Sequence, residues 1–176
     1  MTLLGSVAAT LRAHGTPFAL IGAGAMAVHG VSRSTRGLDV LVTDLACLVS
    51  AYWDRAKLDD VDITLHRGDA DEPLAGAVRL RPREGGGPLD VVIGRSGWMS
   101  GVLERAAESE VDGIHVPVAR RADLILLTLY AGGPQDAWDI EQLLAGAETD
   151  AVIADVEREL PRLPPHASHF WLRIRE

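Results

Sequence analysis

LIGAGAMAVHGVSRSTRGLDVLVTD, residues 20–44, decides the fold. Phe18-Ala19-Leu20-Ile21 is a short apolar run of buried-strand type that follows the turn residues Gly15-Thr16-Pro17. Gly22 to Gly30 is a small-residue segment of helical composition that begins and ends at glycine. Polar residues Ser32 to Gly37 come next, and Leu38 to Thr43 reads as a second strand with one charge, Asp39, near its start. Strand, tight turn, short helix, loop, strand is the order these residues predict.

Upstream, MTLLGSVAATLRAHG places Leu3, Leu4, Val7 and Leu11 on one helical face and lacks the basic leader of a secretory signal, so it reads as a packed helix. Downstream, Thr43 or Asp44 is placed to cap a helix with the face Leu45, Leu48, Val49 and Tyr52. Strands are expected at Val61–Leu65, Ala77–Arg81 and Leu89–Ile93, the last two joined by a hairpin at Gly85-Gly86-Gly87-Pro88. A helix is expected over 98–109, a strand or loop over Gly113–Val118, and helices near 121–131, 134–146 and 150–160. Pro161, Pro164 and Pro165 end the helical part, with Phe170-Trp171-Leu172 packing back.

The fold class that follows is α/β (α+β): a mixed β-sheet flanked by helices with a helical C-terminal end. At 176 residues one domain is expected, with a sheet core over 1–118, a helical part over 119–163 and a packed tail over 164–176.

Composition narrows the function. The chain is 47% hydrophobic and 24% charged, within the folded globular range. No apolar run reaches the roughly 18 residues that cross a bilayer, so no membrane partner is expected. A net charge of −8 repels an extended polyanion, although Arg79, Arg81 and Arg83 form a local basic strip. The single cysteine, Cys47, lies in an apolar stretch as a buried thiol and permits no internal disulfide, which fits a cytoplasmic setting.

The ordered set Gly22-Ala23-Gly24, His29-Gly30, Arg33-Ser34-Thr35 and Gly37-Leu38-Asp39 resembles the opening motif of the nucleotidyltransferase superfamily, in the branch of AbiEii-type toxins and related small bacterial proteins. Pro88-Leu89-Asp90-Val91-Val92 resembles the strand that carries that family's third carboxylate. Ala122 to Tyr130 resembles its later helix, and Gly133-Pro134-Gln135-Asp136-Ala137-Trp138-Asp139 its Arg-Pro-x-Asp-x-x-Asp segment.

The resemblance implies a fold of nucleotidyltransferase type that binds a nucleoside triphosphate with Mg2+ or Mn2+. Asp39 and Asp90 would serve as catalytic residues and metal ligands, and Gly22, Ala23, Gly24, Arg33, Thr35 and Asp136 would bind the nucleotide. Two magnesium ions about 4 Å apart usually steady the attacking and leaving oxygens of such a transfer. Small residues at a helix start let backbone N–H groups approach phosphate. The acceptor, an RNA, a protein hydroxyl or a small molecule, is left open, as is a protein partner at the helical end.

Departures from the pattern matter as much. Gly37 stands in place of the first carboxylate of the pair, Ala23 of a serine, Thr128 of a lysine and Gly133 of an arginine. An active enzyme must then draw on Arg33, Arg36, Arg120 or Arg121, and restoring Gly37→Asp with Thr128→Lys is expected to raise metal-dependent activity. Otherwise the chain is a catalytically degenerate binding or regulatory module.

Other readings stand beside these. Gly22-Ala23-Gly24 after a strand, with Asp44 downstream, also matches a dinucleotide-binding fingerprint, though the later hairpin and helical end fit a doubly wound sheet poorly. Gly22 and Gly24 can serve the turn alone. Asp39 and Asp90 can be arginine-paired structural acids, and Asp136 and Asp139 suit a helix N-terminus whatever their function. His29 reads as a packed or capping residue, and His66, His115, His166 and His169 lack metal-ligand spacing.

Overall fold

The computed structural model describes residues 1–146 and 148–176. Helix α1 (Leu3–Ala13) is capped by the Thr2 hydroxyl, which accepts from Gly5 N, and buries Leu4, Val7, Ala8 and Leu11. Strand β1 (Phe18–Ile21) turns directly into α2 (Gly22–Val28), and β2 (Leu38–Val42) returns antiparallel to β1. Next come β3 (Val61–Arg67), β4 (Leu74–Pro82), β5 (Leu89–Gly94), α3 (Trp98–Arg105), β6 (Ala107–Val111) and β7 (Ile114–Val118). The C-terminal part holds α4 (Arg121–Ala131), α5 (Asp136–Leu144), α6 (Thr149–Glu159) and α7 (Pro165–Arg175).

All seven strands share one sheet in the order β3-β4-β5-β2-β1-β7-β6. Pairings β2/β5 and β1/β7 are parallel, and the rest are antiparallel, so the sheet is mixed as expected. Alternation along the strands separates its faces. Val40, Val42, Val78, Leu80, Leu89, Val91 and Ile93 point into the core, while Asp62, Thr64, His66, Arg79, Arg81, Asp39 and Asp90 occupy alternate positions on the opposite face.

Helix α4 is the pillar of the helical part: Leu124, Ile125, Leu126 and Leu129 are buried, and α5, α6 and α7 pack around it. Arg105 at the end of α3 makes a bidentate pair with buried Asp123 in the first turn of α4, at 2.6 Å from Nη2 to Oδ1, which ties α3 to α4. No helix among the described residues is long and apolar enough to cross a membrane.

Three elements differ from expectation. The helix expected over 98–109 stops at Arg105, and Ala107–Val111 pairs with β7 through a two-residue turn at Asp112-Gly113, with φ of 49° and 78°. Both values are positive, as a hairpin turn of the Asp-Gly kind requires. The helix expected after Asp44 is two short 3₁₀ turns, Leu45–Leu48 and Ser50–Trp53, with Asp44 Oδ1 accepting from Ala46 N at 2.9 Å. The tail is helix α7, because Pro165 at its first turn needs no partner for a missing N–H. Of the three tail residues, Trp171 is buried, Phe170 half-buried and Leu172 exposed.

Candidate functional site

The polar sheet face holds one row of cross-strand neighbours running through five strands: Thr64, Arg79, Asp90, Asp39 and Ile21. Asp39 and Asp90 are direct partners in parallel strands and share a face, which is the juxtaposition the spacing along β2 and β5 allows. Asp39 closes against the bend that follows β1. Gly22 has φ +63°, and a β-carbon there would lie 2.7 Å from Asp39 Oδ2, so this glycine serves both the turn and the approach of the carboxylate.

The two acids have different environments. Arg79 Nε donates to Asp90 Oδ1 at 2.8 Å and its Nη2 to Oδ2 at 2.7 Å, a fork that engages both oxygens. Asp39 is half-buried, and burial, then the charge of Asp90, push its carboxyl above the usual carboxylate range, opposed by Arg79 and Arg33. Beside them lies an open cavity of about 550 Å³ lined by Asp62, Thr64, His66, Ala77, Arg79, Arg81 and Asp90. Its charges alternate in sign: Arg81 faces Asp62 across β3 and β4, and Arg83 Nε donates to Asp62 Oδ1 at 2.9 Å. Arg79, Arg81 and Arg83 therefore lie in a mixed-charge field rather than along a basic track for a nucleic-acid backbone.

A second cluster lies where the loop after α2 meets α5. Arg33 pairs with the buried Asp139 and donates to Gln135 Oε1 at 3.1 Å, while Asp136 caps the turn by accepting from Gly133 N. Thr35 donates to the Gly37 carbonyl at 2.8 Å, shaping the entry to β2. Ala23 is buried, and a β-carbon at Gly24 would lie 2.7 Å from Leu38, so both serve the seating of α2 on the sheet. Arg33 and Asp136 are thus brought to α5, and Asp39 and Asp90 to the sheet face.

The sites of departure are built into the packing. A side chain at Gly37 has no room: its β-carbon would overlap the Pro88 carbonyl oxygen and lie 3.1 Å from Pro88 Cγ. Thr128 donates to the Leu124 carbonyl of its own helix at 2.7 Å. Among the arginines that compensation would use, Arg33 is held by Asp139, Arg120 by Asp155 at 2.7 Å, and Arg121 by the His29 carbonyl at 2.9 Å. Arg36 lines a separate cleft of about 1040 Å³.

Two magnesium ions do not fit this donor set. Two carboxylates remain, one is forked by an arginine, the place of a third is sealed, and no three His, Cys, Asp or Glu side chains gather as metal ligands among the described residues. The arrangement can bind a polar ligand that offers both charge signs or several hydrogen-bonding groups.

Sequence reasoning named Arg79 as part of a basic strip and missed its partnership with Asp90. The signal lay in the hairpin: once β4 and β5 pair antiparallel across Gly85–Pro88, Arg79 and Asp90 become cross-strand neighbours.

No family model and no curated protein matches the sequence. Solved structures do. The antibiotic-resistance factor ANT(2'')-Ia, in its solution structure, aligns with a TM-score of 0.54 at 15% identity over 99% of this chain and 96% of that one. The same factor in complex with adenylyl-2''-tobramycin aligns with a TM-score of 0.55 at 12% identity over 91% of this chain and 96% of that one. An antigenic nucleotidyltransferase-like protein from Paracoccidioides brasiliensis aligns with a TM-score of 0.51 at 13% identity over 94% and 90%. At such identities the likeness is one of fold: the chain has the nucleotidyltransferase-type fold.

Proposed function

We propose that this chain is a nucleotidyltransferase-fold protein that binds a nucleoside triphosphate on the sheet face beside Asp39 and Asp90, as a binding or regulatory module rather than as a metal-dependent transferase. The observation that carries this reading is the in-register pair of acids beside the Gly22 bend, kept while the place of the further acid, Gly37, is sealed by Pro88. A fold neighbour was solved with adenylyl-2''-tobramycin, a molecule that carries a nucleotidyl group, which supports a nucleotide as the ligand class. Assignment to the AbiEii-type branch, with a toxin or antitoxin setting, rests on the ordered motifs alone, and a cytoplasmic location on the single cysteine, Cys47.

The roles of the chain's own residues follow from their surroundings. Gly22 lets the Asp39 carboxylate close on the bend, and Asp39 and Asp90 accept hydrogen bonds from the ligand's donors. Arg81 offers positive charge to phosphate while Arg79 stays forked on Asp90, and Arg33 holds α5 against the loop that leads into β2. Transfer would require charge neutralisation at the α-phosphate that this set does not supply.

Isothermal titration of the full chain with each of the four triphosphates tests the binding, and incubation with labelled triphosphate and either Mg2+ or Mn2+ tests for transfer. Saturable binding of at least one triphosphate with no label incorporated is expected. Absence of binding to all four would remove the nucleotide, and metal-dependent incorporation would remove the non-catalytic reading.

A further inference from the structure

Arg79 is more than one exposed ion pair among several, because of what stands beside it. Opposite charges across a hairpin are ordinary. Here the pair borders a second carboxylate, Asp39, that lies directly across from Asp90. The other arginine acting on Asp39, Arg33, has its side chain committed to Asp139 and Gln135. Arg79 is therefore the cation paired with Asp90 at the strand next to Asp39, and its fork occupies the Asp90 oxygens that a divalent ion bridging the two acids would need.

We propose that Arg79 is the resident cation of this site, keeping Asp39 and Asp90 from taking a divalent ion, so that the ligand of the sheet face binds without metal. The first part stands on this geometry alone, and the second rests on the nucleotide reading above. Removing the guanidinium frees both Asp90 oxygens beside the half-buried Asp39 carboxyl, an arrangement in which a hard cation is bound through oxygen.

The test titrates Mn2+ into the folded full chain and follows the free ion by electron paramagnetic resonance. The wild type should leave Mn2+ free. Arg79→Ala should gain binding by about tenfold or more, since a unit positive charge a few ångströms away has been removed. Adding Asp39→Asn should abolish that gain, and Arg79→Lys, which retains the charge, should stay close to the wild type. Arg79 has a side chain 54% exposed, so these variants should fold, as circular dichroism will verify, and Arg79→Gln provides a second neutral variant. Wild-type Mn2+ binding equal to that of Arg79→Ala would overturn the proposal, and so would a folded Arg79→Ala or Arg79→Gln that gains none.

Nucleotide titrations in excess chelator and in Mg2+ separate the two parts. Equal affinity is expected. Binding only with Mg2+ would overturn metal independence and leave the nucleotide reading standing, whereas no binding in either buffer would remove the nucleotide reading and leave the manganese result to judge Arg79.

Discussion

Gly37 passes Pro88 so closely that a β-carbon on Gly37 would overlap the Pro88 carbonyl oxygen, the same oxygen that accepts from Leu38 N at 3.1 Å. This contact ties the start of β2 to the start of β5 and so sets the register that brings Asp39 level with Asp90. A larger residue must push the strands apart or break that bond. Gly37→Asp should therefore destabilise the chain by about 1–3 kcal/mol, the usual cost of overpacking. That corresponds to a fall in Tm of about 2–12 °C, at about 2–4 °C per kcal/mol for a chain of this size. Combined with Thr128→Lys it should still show no Mg2+-dependent incorporation of labelled nucleotide, contrary to what the motif alone suggests. A double variant as stable as wild type and active would show that the strands can part.

Asp39 gives a pH-dependent test. Burial and Asp90 raise its carboxyl above the ordinary range, so the folded chain holds that proton more tightly than the unfolded chain does. Stability then falls as pH rises from the unfolded value through the folded one, and the full cost is present above both. Asp39→Asn removes the cost. Its Tm should exceed that of wild type at pH 7, with the advantage shrinking as pH is lowered toward about 4, the ordinary carboxylate value. Thermal scans between those limits check it, and a variant less stable than wild type at pH 7 would show that the charge is stabilising.

The strand-turn-helix-strand unit at 18–43 was legible because its signals are local: an apolar run, glycines, a polar loop and a second run. So was the placement of Asp39 and Asp90 on strands, where period two does the work. Their register was not, since β2 and β5 lie about fifty residues apart and no sequence rule aligns distant parallel strands. The Asp112-Gly113 hairpin was locally written and still missed, because Ala106-Ala107-Glu108 carries helical propensity that sheet pairing with β7 overrides. The sealing of Gly37 was invisible in sequence because it depends on Pro88, a residue on a different loop.

Gly22 and Asp39 should behave as a coupled pair. Gly22→Ala places a β-carbon 2.7 Å from Asp39 Oδ2 at a backbone φ of +63°, so it incurs both a clash and strain of about 1 kcal/mol or more. Asp39→Ala removes the clash and leaves the strain. In a double-variant cycle the two changes should therefore cost less together than the sum of their separate effects, by about 1 kcal/mol. Urea denaturation of the four proteins measures this, and strict additivity would mean that the bend and the carboxylate do not touch in solution.

Arg33 and Asp139 give the sharpest expectation on stability. The Asp139 side chain is only 4% exposed, its Oδ1 has no hydrogen-bond partner among the described residues, and its carboxyl is pushed up by burial against the opposing charge of Arg33. Arg33→Ala strands that buried charge. The loss should be about 2–4 kcal/mol, somewhat under the figure for a wholly buried pair because Arg33 is 36% exposed. Without Arg33 the carboxyl rises further, so the folded state takes up a proton at higher pH than before. Acidification should then narrow the gap between Arg33→Ala and wild type. Asp139→Asn in the Arg33→Ala background should recover part of the stability at pH 7, because the amide carries no charge to leave unpaired. Chemical denaturation at pH 5 and pH 7 tests both statements, and a gap that does not change on acidification would mean that Arg33 holds α5 through the uncharged Gln135 rather than through Asp139.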